Sequence, residues 1–281
     1  DFLIGQLLMT LPCFFLWIIG LVFVIRNRKQ QKFHAVAWLY AGILAILLYF
    51  NGKAYYAAAI YPSLMAFGGV AVSRISLRKN WRWLPYALST WMILLTLLIF
   101  PILIPFESPG KLVQFYKRWH LEKSPAFRWE DHQLHPLPQD FADMLGWKEM
   151  AQKTARIYHH LPDSVKKQTM VYGDNYGEAG ALAFYGRPLG LPEIYSDNAT
   201  YLFWLPEHFT QRYFLFATAD LPDPDDSFFN HWGKREILDS VTTPMAREFG
   251  ARIILYSQPD DSARIIAEQH LKEGREQYHL K

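Results

Sequence analysis

Four long stretches without Asp, Glu, Lys or Arg dominate the first 106 residues. They cover residues 2–25, 34–50, 54–73 and 83–106. A helix needs roughly 20 apolar residues to cross about 30 Å of hydrocarbon. The second stretch is short, unless His34 or the polar turn that follows it lies in the membrane interface. The pattern predicts a transmembrane region over residues 1–106 with four helices.

The charges divide the chain into two unlike parts. Residues 1–105 contain nine Lys and Arg and a single acid, Asp1, whereas the remaining residues contain twenty bases and twenty-five acids. The excess of bases lies in loops between apolar stretches, so a sequence pI of 8.8 does not indicate a nucleic-acid partner.

The basic loops also predict the orientation. Four basic residues follow the first stretch and four follow the third, which places both loops in the cytoplasm by the positive-inside rule. The turn at Asn51–Lys53 is then extracytoplasmic, and so is everything after the fourth stretch. We therefore expect a multi-pass protein with an extracytoplasmic second half.

The start of the chain and its cysteine content say little about processing. The chain begins at Asp1 without a basic segment or a small-residue cleavage site, so we expect a truncated start rather than a signal peptide. Cys13 is the only cysteine, which excludes an internal disulfide and a cysteine-rich metal site. His132 and His135 are expected to lack an acidic partner on the same face, and the adjacent His159 and His160 point in different directions on a helix, so no metal site is predicted.

The second half has the pattern of a globular domain. Residues 107–142, with four prolines, predict an irregular packed connector, and residues 143–281 predict a small soluble α/β domain. Helices are expected at about 140–160, 178–185 and 259–274, and strands at about 168–172, 212–217, 235–241 and 252–256. Apolar runs that alternate with helical stretches favour a largely parallel sheet.

Lys53 is the only charged residue in the turn between the second and third apolar stretches. A cation followed by Tyr55 and Tyr56 at the membrane edge predicts a contact to a lipid-linked phosphate. On local grounds alone, a lysine that extends its ammonium to the interface explains the pattern equally well. Pro62, inside the third stretch, predicts a bend next to a cavity or a packing kink.

A second cluster of polar residues falls at a predicted strand-to-helix junction, Tyr172–Gly180. Open α/β sheets bind ligands at such junctions. The spacing of Gly173, Gly177 and Gly180 does not match a dinucleotide loop, so a nucleotide cofactor is disfavoured. The simpler local interpretation is that Asp174 or Asn175 caps the helix.

Amide, hydroxyl and aromatic groups recur in the segment 196–204. Sugars are bound by hydrogen bonds at the rim of a site and by an aromatic face against their apolar side. The possible sugar or acceptor contacts are Asp174, Asn175, Tyr176, Asn198, Tyr201 and Trp204. Many loops have a similar composition.

Several motifs, in their order and spacing, resemble bacterial glycosyltransferase family 39 proteins. This family is related to the dolichyl-phosphate-mannose protein mannosyltransferases and to the aminoarabinose transferase that modifies lipid A. The resemblance begins at Gln6 and covers most of the chain. Its motifs are Asn51–Tyr56, Tyr61-Pro62, Gly173–Leu182, Phe184–Gly186 and Leu191-Pro192.

The resemblance implies a partial GT-C type architecture in a bacterial inner membrane, with a periplasmic domain. It implies transfer of a sugar from a polyprenyl-phosphate donor to a lipid, protein or glycan acceptor. It also implies that Lys53, Tyr55 and Tyr56 contact the phosphate of the donor. The family's acidic catalytic residue lies in a preceding membrane half, so the resemblance assigns no catalytic residue to this chain and implies that the chain alone is inactive.

Two other functions remain open. A membrane-tethered module could bind a glycan or a partner without catalysis. A transporter is disfavoured, because the apolar stretches contain no embedded acids or bases apart from Lys53 at an edge. No cofactor is identified, and a requirement for a divalent metal is left open.

Overall fold

The computed structural model describes residues 2–27, 32–206, 208–223 and 225–277. The chain forms two compact units, Asp1–Ile104 and Pro105–Lys281. Each unit is described by itself.

The first unit is helical. Its elements are α1 (Phe2–Met9), α2 (Phe14–Arg26), α3 (His34–Tyr49), a 3₁₀ helix (Ala54–Ile60), α4 (Tyr61–Lys79) and α5 (Leu84–Leu103). Two segments are long and apolar enough to cross a membrane, namely Ala54–Lys79 and Leu84–Leu103. This agrees with a membrane protein.

The other two predicted spans have a different form. The first stretch is divided into α1 and α2, which meet at 109° and add a third span only if the bent pair is taken as one. Pro12 lies in the turn between them, where a proline cannot continue a helix. The third helix, α3, has only 16 residues. The described residues therefore hold two or three candidate spans, and the predicted four are not confirmed.

Two glycines allow α2 and α4 to approach closely. A Cβ added to Gly20 would lie 1.8 Å from the Leu64 carbonyl oxygen, and one added to Gly68 would lie 2.0 Å from that of Leu16. Small residues that let helix backbones touch are typical of membrane helix pairs. Trp17, Tyr40 and Tyr61 pack beside this contact in the core of the unit.

Pro62 does not bend a helix. It lies in the first turn of α4, directly after the 3₁₀ helix. The N–H groups of a first helical turn have no partner within the helix, so a proline is tolerated there. The expectation of a kink inside a continuous span was wrong for this reason.

The second unit combines helices with one sheet. Its helices are α6 (Pro109–Arg118), α7 (Gln139–Ala142), α8 (Trp147–His160), α9 (Asp163–Lys166), α10 (Tyr176–Gly186) and α11 (Asp261–Gln277). Its strands are β1 (Thr169–Gly173), β2 (Ile194–Tyr195), β3 (Tyr213–Thr218), β4 (Trp232–Ser240) and β5 (Arg252–Pro259). Short 3₁₀ helices cover Pro125–Phe127, Arg187–Leu189, Ala199–Trp204 and Phe229–His231.

The sheet has the order β2-β1-β3-β5-β4 and is mixed. β1 pairs in parallel with β2 and β3, whereas β5 pairs antiparallel with β3 and β4. The prediction of a largely parallel sheet is therefore wrong for the pairs that β5 forms with β3 and β4. Parallel neighbours need a long crossover, usually a helix, and the segments that lead to β4 and β5 contain no α-helix among the described residues.

Each face of the sheet has its own core. Val171, Leu215 and Ile253 point toward α8 and α10, and Met170, Phe214 and Ile254 belong to the opposite core with α11. This division follows from the alternation of side chains along a strand.

Two predicted boundaries differ from the structure. The single helix expected over 140–160 is two helices, because Gly146 has a φ of 88° and precedes α8. The expected connector, residues 107–142, contains α6, whose buried Leu112 and Tyr116 pack with Phe127 and Phe141.

Candidate functional site

The Lys53 turn, defined as Lys53, Tyr55 and Tyr56, lies at the start of the 3₁₀ helix. Lys53 has an extended backbone and precedes the helix as its N-cap. Tyr55 is 55% and Tyr56 59% exposed, and their rings meet edge to face with centroids 4.7 Å apart. The Lys53 side chain is also exposed. The structure thus presents all three predicted phosphate contacts on one short exposed segment.

A buried polar network supports this turn. Gln6, only 2% exposed, donates from Nε2 to the Ala54 carbonyl at 3.0 Å and accepts at Oε1 from the Tyr61 hydroxyl at 2.5 Å. The Thr10 hydroxyl donates to the Gln6 carbonyl at 2.9 Å, and Trp17 Nε1 donates to Thr10 at 2.8 Å. Since Ala54 follows Lys53 directly, the network holds the backbone from which Lys53 projects. The sequence reasoning missed it, although Gln6 and Thr10 are polar residues in an otherwise apolar stretch.

The predicted strand-to-helix junction in the second unit is confirmed. β1 ends at Gly173 and α10 begins at Tyr176. Asn175 caps α10, with Oδ1 accepting from Gly177 N–H at 2.6 Å, while Glu178 Oε2 accepts from Asn175 N–H at 3.1 Å. Asn175 therefore has a structural role. Gly173 permits the tight turn, because a Cβ there would lie 2.3 Å from Ala179 N.

A crevice of about 240 Å³ opens at this junction, on the α11 side of the sheet. We call it the strand-end crevice. It combines apolar and aromatic walls with acidic groups at its edge. Its lining is Met170, Tyr172, Asp174, Asp197, Leu205, Pro206, Phe209, Phe214, Phe216, Asp226, Phe228, Phe229, Ala267, His270 and Leu271.

Two of its acidic groups follow parallel strands. Asp174 comes directly after β1 and Asp197 two residues after β2, so both lie where the carboxyl ends of the strands meet. The third, Asp226, precedes the 3₁₀ helix Phe229–His231. None of the three has an ion-pair partner within the ranges that the structure describes.

Hydrogen bonds hold the carboxylates of Asp174 and Asp226 and the backbone of Asp197 in place. Asp174 Oδ2 accepts from the Thr218 hydroxyl at 2.6 Å. Asp226 Oδ1 accepts from Phe228 N–H at 2.9 Å and from Phe229 N–H at 3.3 Å. Asp197 donates its backbone N–H to the Tyr172 hydroxyl at 2.6 Å. The edge of the crevice is thus built by specific contacts to the sheet and the loops.

Negative charge collects at this edge. Burial raises the pKa of Asp174, and the charges of Asp197 and Asp220 raise it further, while the bond from Thr218 opposes the rise. Burial also raises the pKa of Tyr172 well above its ordinary value, with a further contribution from Asp197. Each anionic form is disfavoured by the anions around it.

The six predicted sugar contacts are distributed between the crevice and the surface near the start of α10. Only Asp174 lines the strand-end crevice. The Asn198 side-chain oxygen accepts from Tyr176 N–H at 3.4 Å, and the rings of Tyr201 and Trp204 meet with centroids 5.3 Å apart. Tyr176 and Trp204 have largely exposed side chains.

The aromatic walls were missed from the sequence. Phe214 and Phe216 lie on β3, where the sequence pattern is that of ordinary core residues. Their two-residue spacing predicts a shared face but not a cavity beside it.

A pair of buried glutamates lies behind the junction. Glu178 is fully buried and Glu248 is 8% exposed. Among the described residues, Glu178 Oε1 and Glu248 Oε2 have no hydrogen-bond partner. Burial raises the pKa of Glu178 to about 7, with the Glu248 and Asp174 charges adding to the rise. Burial also raises the pKa of Glu248.

No cluster of three His, Cys, Asp or Glu side chains in the described part of the chain has an arrangement that could hold a metal ion. Comparisons of the chain with protein-family models, curated proteins and solved structures give no match.

Proposed function

We propose that this chain belongs to an integral-membrane glycosyltransferase of GT-C type that uses a polyprenyl-phosphate-linked sugar. The sugar passes to an extracytoplasmic lipid, protein or glycan acceptor, and the chain crosses the membrane four times. The observation that supports this proposal best is the Lys53 turn, where a cation and two exposed tyrosines project from backbone held by buried Gln6.

The chemistry of the donor explains why such a turn is needed. Breaking the bond between sugar and phosphate leaves negative charge on the phosphate, and positioned donors stabilise that charge. The Lys53 ammonium supplies a charge-assisted hydrogen bond, and the Tyr55 and Tyr56 hydroxyls supply neutral ones. Activation of the acceptor also needs a general base, and we assign none to these residues.

The direct test replaces Lys53 in the full-length enzyme, reconstituted in proteoliposomes with a labelled polyprenyl-phosphate sugar. We expect Lys53→Ala to reduce transfer by about tenfold to a hundredfold, as loss of a charged hydrogen bond predicts. Lys53→Arg keeps the charge and should retain most of the transfer. Lys79→Ala, at the other end of the Ala54–Lys79 segment, is the matched control. Unchanged transfer by Lys53→Ala would leave interfacial anchoring as the role of Lys53.

The strand-end crevice favours a second candidate, a membrane-tethered extracytoplasmic module that binds a glycan or another partner without catalysis. A concave site with aromatic walls and a few fixed polar groups is typical of ligand binding. Under this alternative, a ligand binds equally well to wild type and Lys53→Ala, and no sugar transfer is observed with either.

A further inference from the structure

We propose that the strand-end crevice binds a small organic cation, a ring-sized ammonium compound whose apolar body lies against the aromatic walls. This inference goes beyond the proposed sugar transfer and does not depend on it. Three properties of the crevice support it: the walls, the charge and the size.

The walls are aromatic and closely packed. Phe214 and Phe216 project from β3 and are almost fully buried. Tyr172 packs 5.0 Å from Phe214, and Phe229 packs 5.2 Å from Phe216, both measured between ring centroids. A cation within about 6 Å of an aromatic ring centroid is attracted by the negative face of the ring. The walls can therefore hold an apolar body and favour a positive charge beside it.

The lining that the structure describes is mainly acidic. Asp174, Asp197 and Asp226 line the crevice, His270 is the only basic side chain there, and no Lys or Arg is among the described lining residues. Asp174 and Asp226 each accept hydrogen bonds at one carboxylate oxygen, from Thr218 and from two backbone N–H groups. A cation relieves the repulsion among the three carboxylates, whereas an anion increases it. The crevice is thus unsuited to the phosphate that we assign to the Lys53 turn.

The size of the crevice limits the ligand to a molecule smaller than a typical drug. Its volume of about 240 Å³ lies below the roughly 300–1,000 Å³ that is usual for drug-sized ligands. A single six-membered ring with one ammonium group matches this space. A bare metal ion does not, because the described residues offer no group of three metal ligands.

The experiment uses the whole 281-residue chain in detergent micelles and three probes that share one ring. Cyclohexylammonium, cyclohexanol and cyclohexanecarboxylate are titrated, and binding is measured by saturation-transfer NMR. We expect cyclohexylammonium to bind at least about tenfold more tightly than cyclohexanol, and the carboxylate not to bind, because only the cation gains from the acidic lining.

Variants locate the binding site. Asp226→Asn preserves the side-chain oxygen that accepts from Phe228 and Phe229 but removes a charge, so the fold should persist. We expect it to weaken cyclohexylammonium binding about fivefold, as loss of one nearby charge predicts. Asp225→Asn is the matched control, since Asp225 is exposed on the same loop and outside the lining. Near-ultraviolet circular dichroism checks that both variants are folded.

Three results overturn the proposal. They are equal binding of cyclohexanol and cyclohexylammonium, binding of cyclohexanecarboxylate as tight as that of cyclohexylammonium, and equal effects of Asp226→Asn and Asp225→Asn. Because no sugar transfer is measured, these results are independent of the outcome with Lys53→Ala.

Discussion

Gln6 Oε1 accepts a 2.5 Å hydrogen bond from the hydroxyl of Tyr61, which lies 55 positions further along the chain. The same side chain donates to Ala54, so it connects α1 to both ends of the 3₁₀ helix that follows Lys53. Burying a side-chain amide without hydrogen-bond partners costs free energy, and these two bonds supply partners for the Gln6 amide. One uncharged polar residue thus stabilises the position of the turn that we assign to phosphate.

We expect Gln6→Leu to destabilise the first unit by about 1–3 kcal/mol, because the Tyr61 hydroxyl and the Ala54 carbonyl each lose a partner. The measurement is the midpoint of thermal unfolding in detergent. Leu8→Val, at an exposed position of the same helix, is the control.

A double-mutant cycle separates this bond from general packing. Tyr61→Phe removes the hydroxyl, so Gln6→Leu should be less destabilising in that background than in wild type. Strictly additive effects would show that the two side chains do not interact in solution.

We expect Gly68→Ala to disrupt the contact between α2 and α4, since its Cβ would lie 2.0 Å from the Leu16 carbonyl oxygen. Backbone must move to relieve such a clash, and overpacking typically costs about 1–3 kcal/mol. Gly69→Ala is a matched control one position away, where an added Cβ meets nothing within 4 Å. Unfolding midpoints of the two variants should differ clearly. A fall of equal size in both would argue against the close helix contact.

The buried Glu178 predicts a dependence of stability on pH. Its pKa rises from 4.5 to about 7 in the folded protein, so between these values the folded state binds more protons than the unfolded state. The free energy of unfolding then falls as pH rises from about 4.5 to 7, and the contribution levels off above that range. The whole effect is on the order of 3 kcal/mol.

Glu178→Gln should therefore flatten this fall in stability, since an amide keeps an acceptor for Asn175 N–H but has no charge to bury. Urea titrations at pH 5 and pH 8 measure the difference. Glu193→Gln, at an exposed position, should leave the wild-type dependence unchanged. If Glu178→Gln also retains the full wild-type slope, Glu178 is not the group responsible.

Local patterns predicted several elements correctly. β1, α10 and α11 lie within a few residues of the predicted positions, because hydrophobic alternation and capping residues such as Asn175 act over short distances. The broken first span and the mixed sheet were not predicted. The break depends on a turn at Pro12 that begins at Thr10, whose hydroxyl bonds to Gln6 and Trp17. Strand direction depends on connections that have no local signature.

The candidate sites show the same difference between features that local patterns predict and features that depend on distant contacts. Local patterns were enough to predict that apolar helices precede an α/β domain, that Lys53 lies in a turn between two of those helices, and that a strand-to-helix junction lies at Gly173–Tyr176. These features follow from composition and spacing within about twenty residues. The support of the Lys53 turn by Gln6, and the aromatic crevice shared by Asp174, Asp197 and Asp226, became visible in the folded chain. Those residues are far apart in the chain, and only the packing of helices and the pairing of strands brings them together.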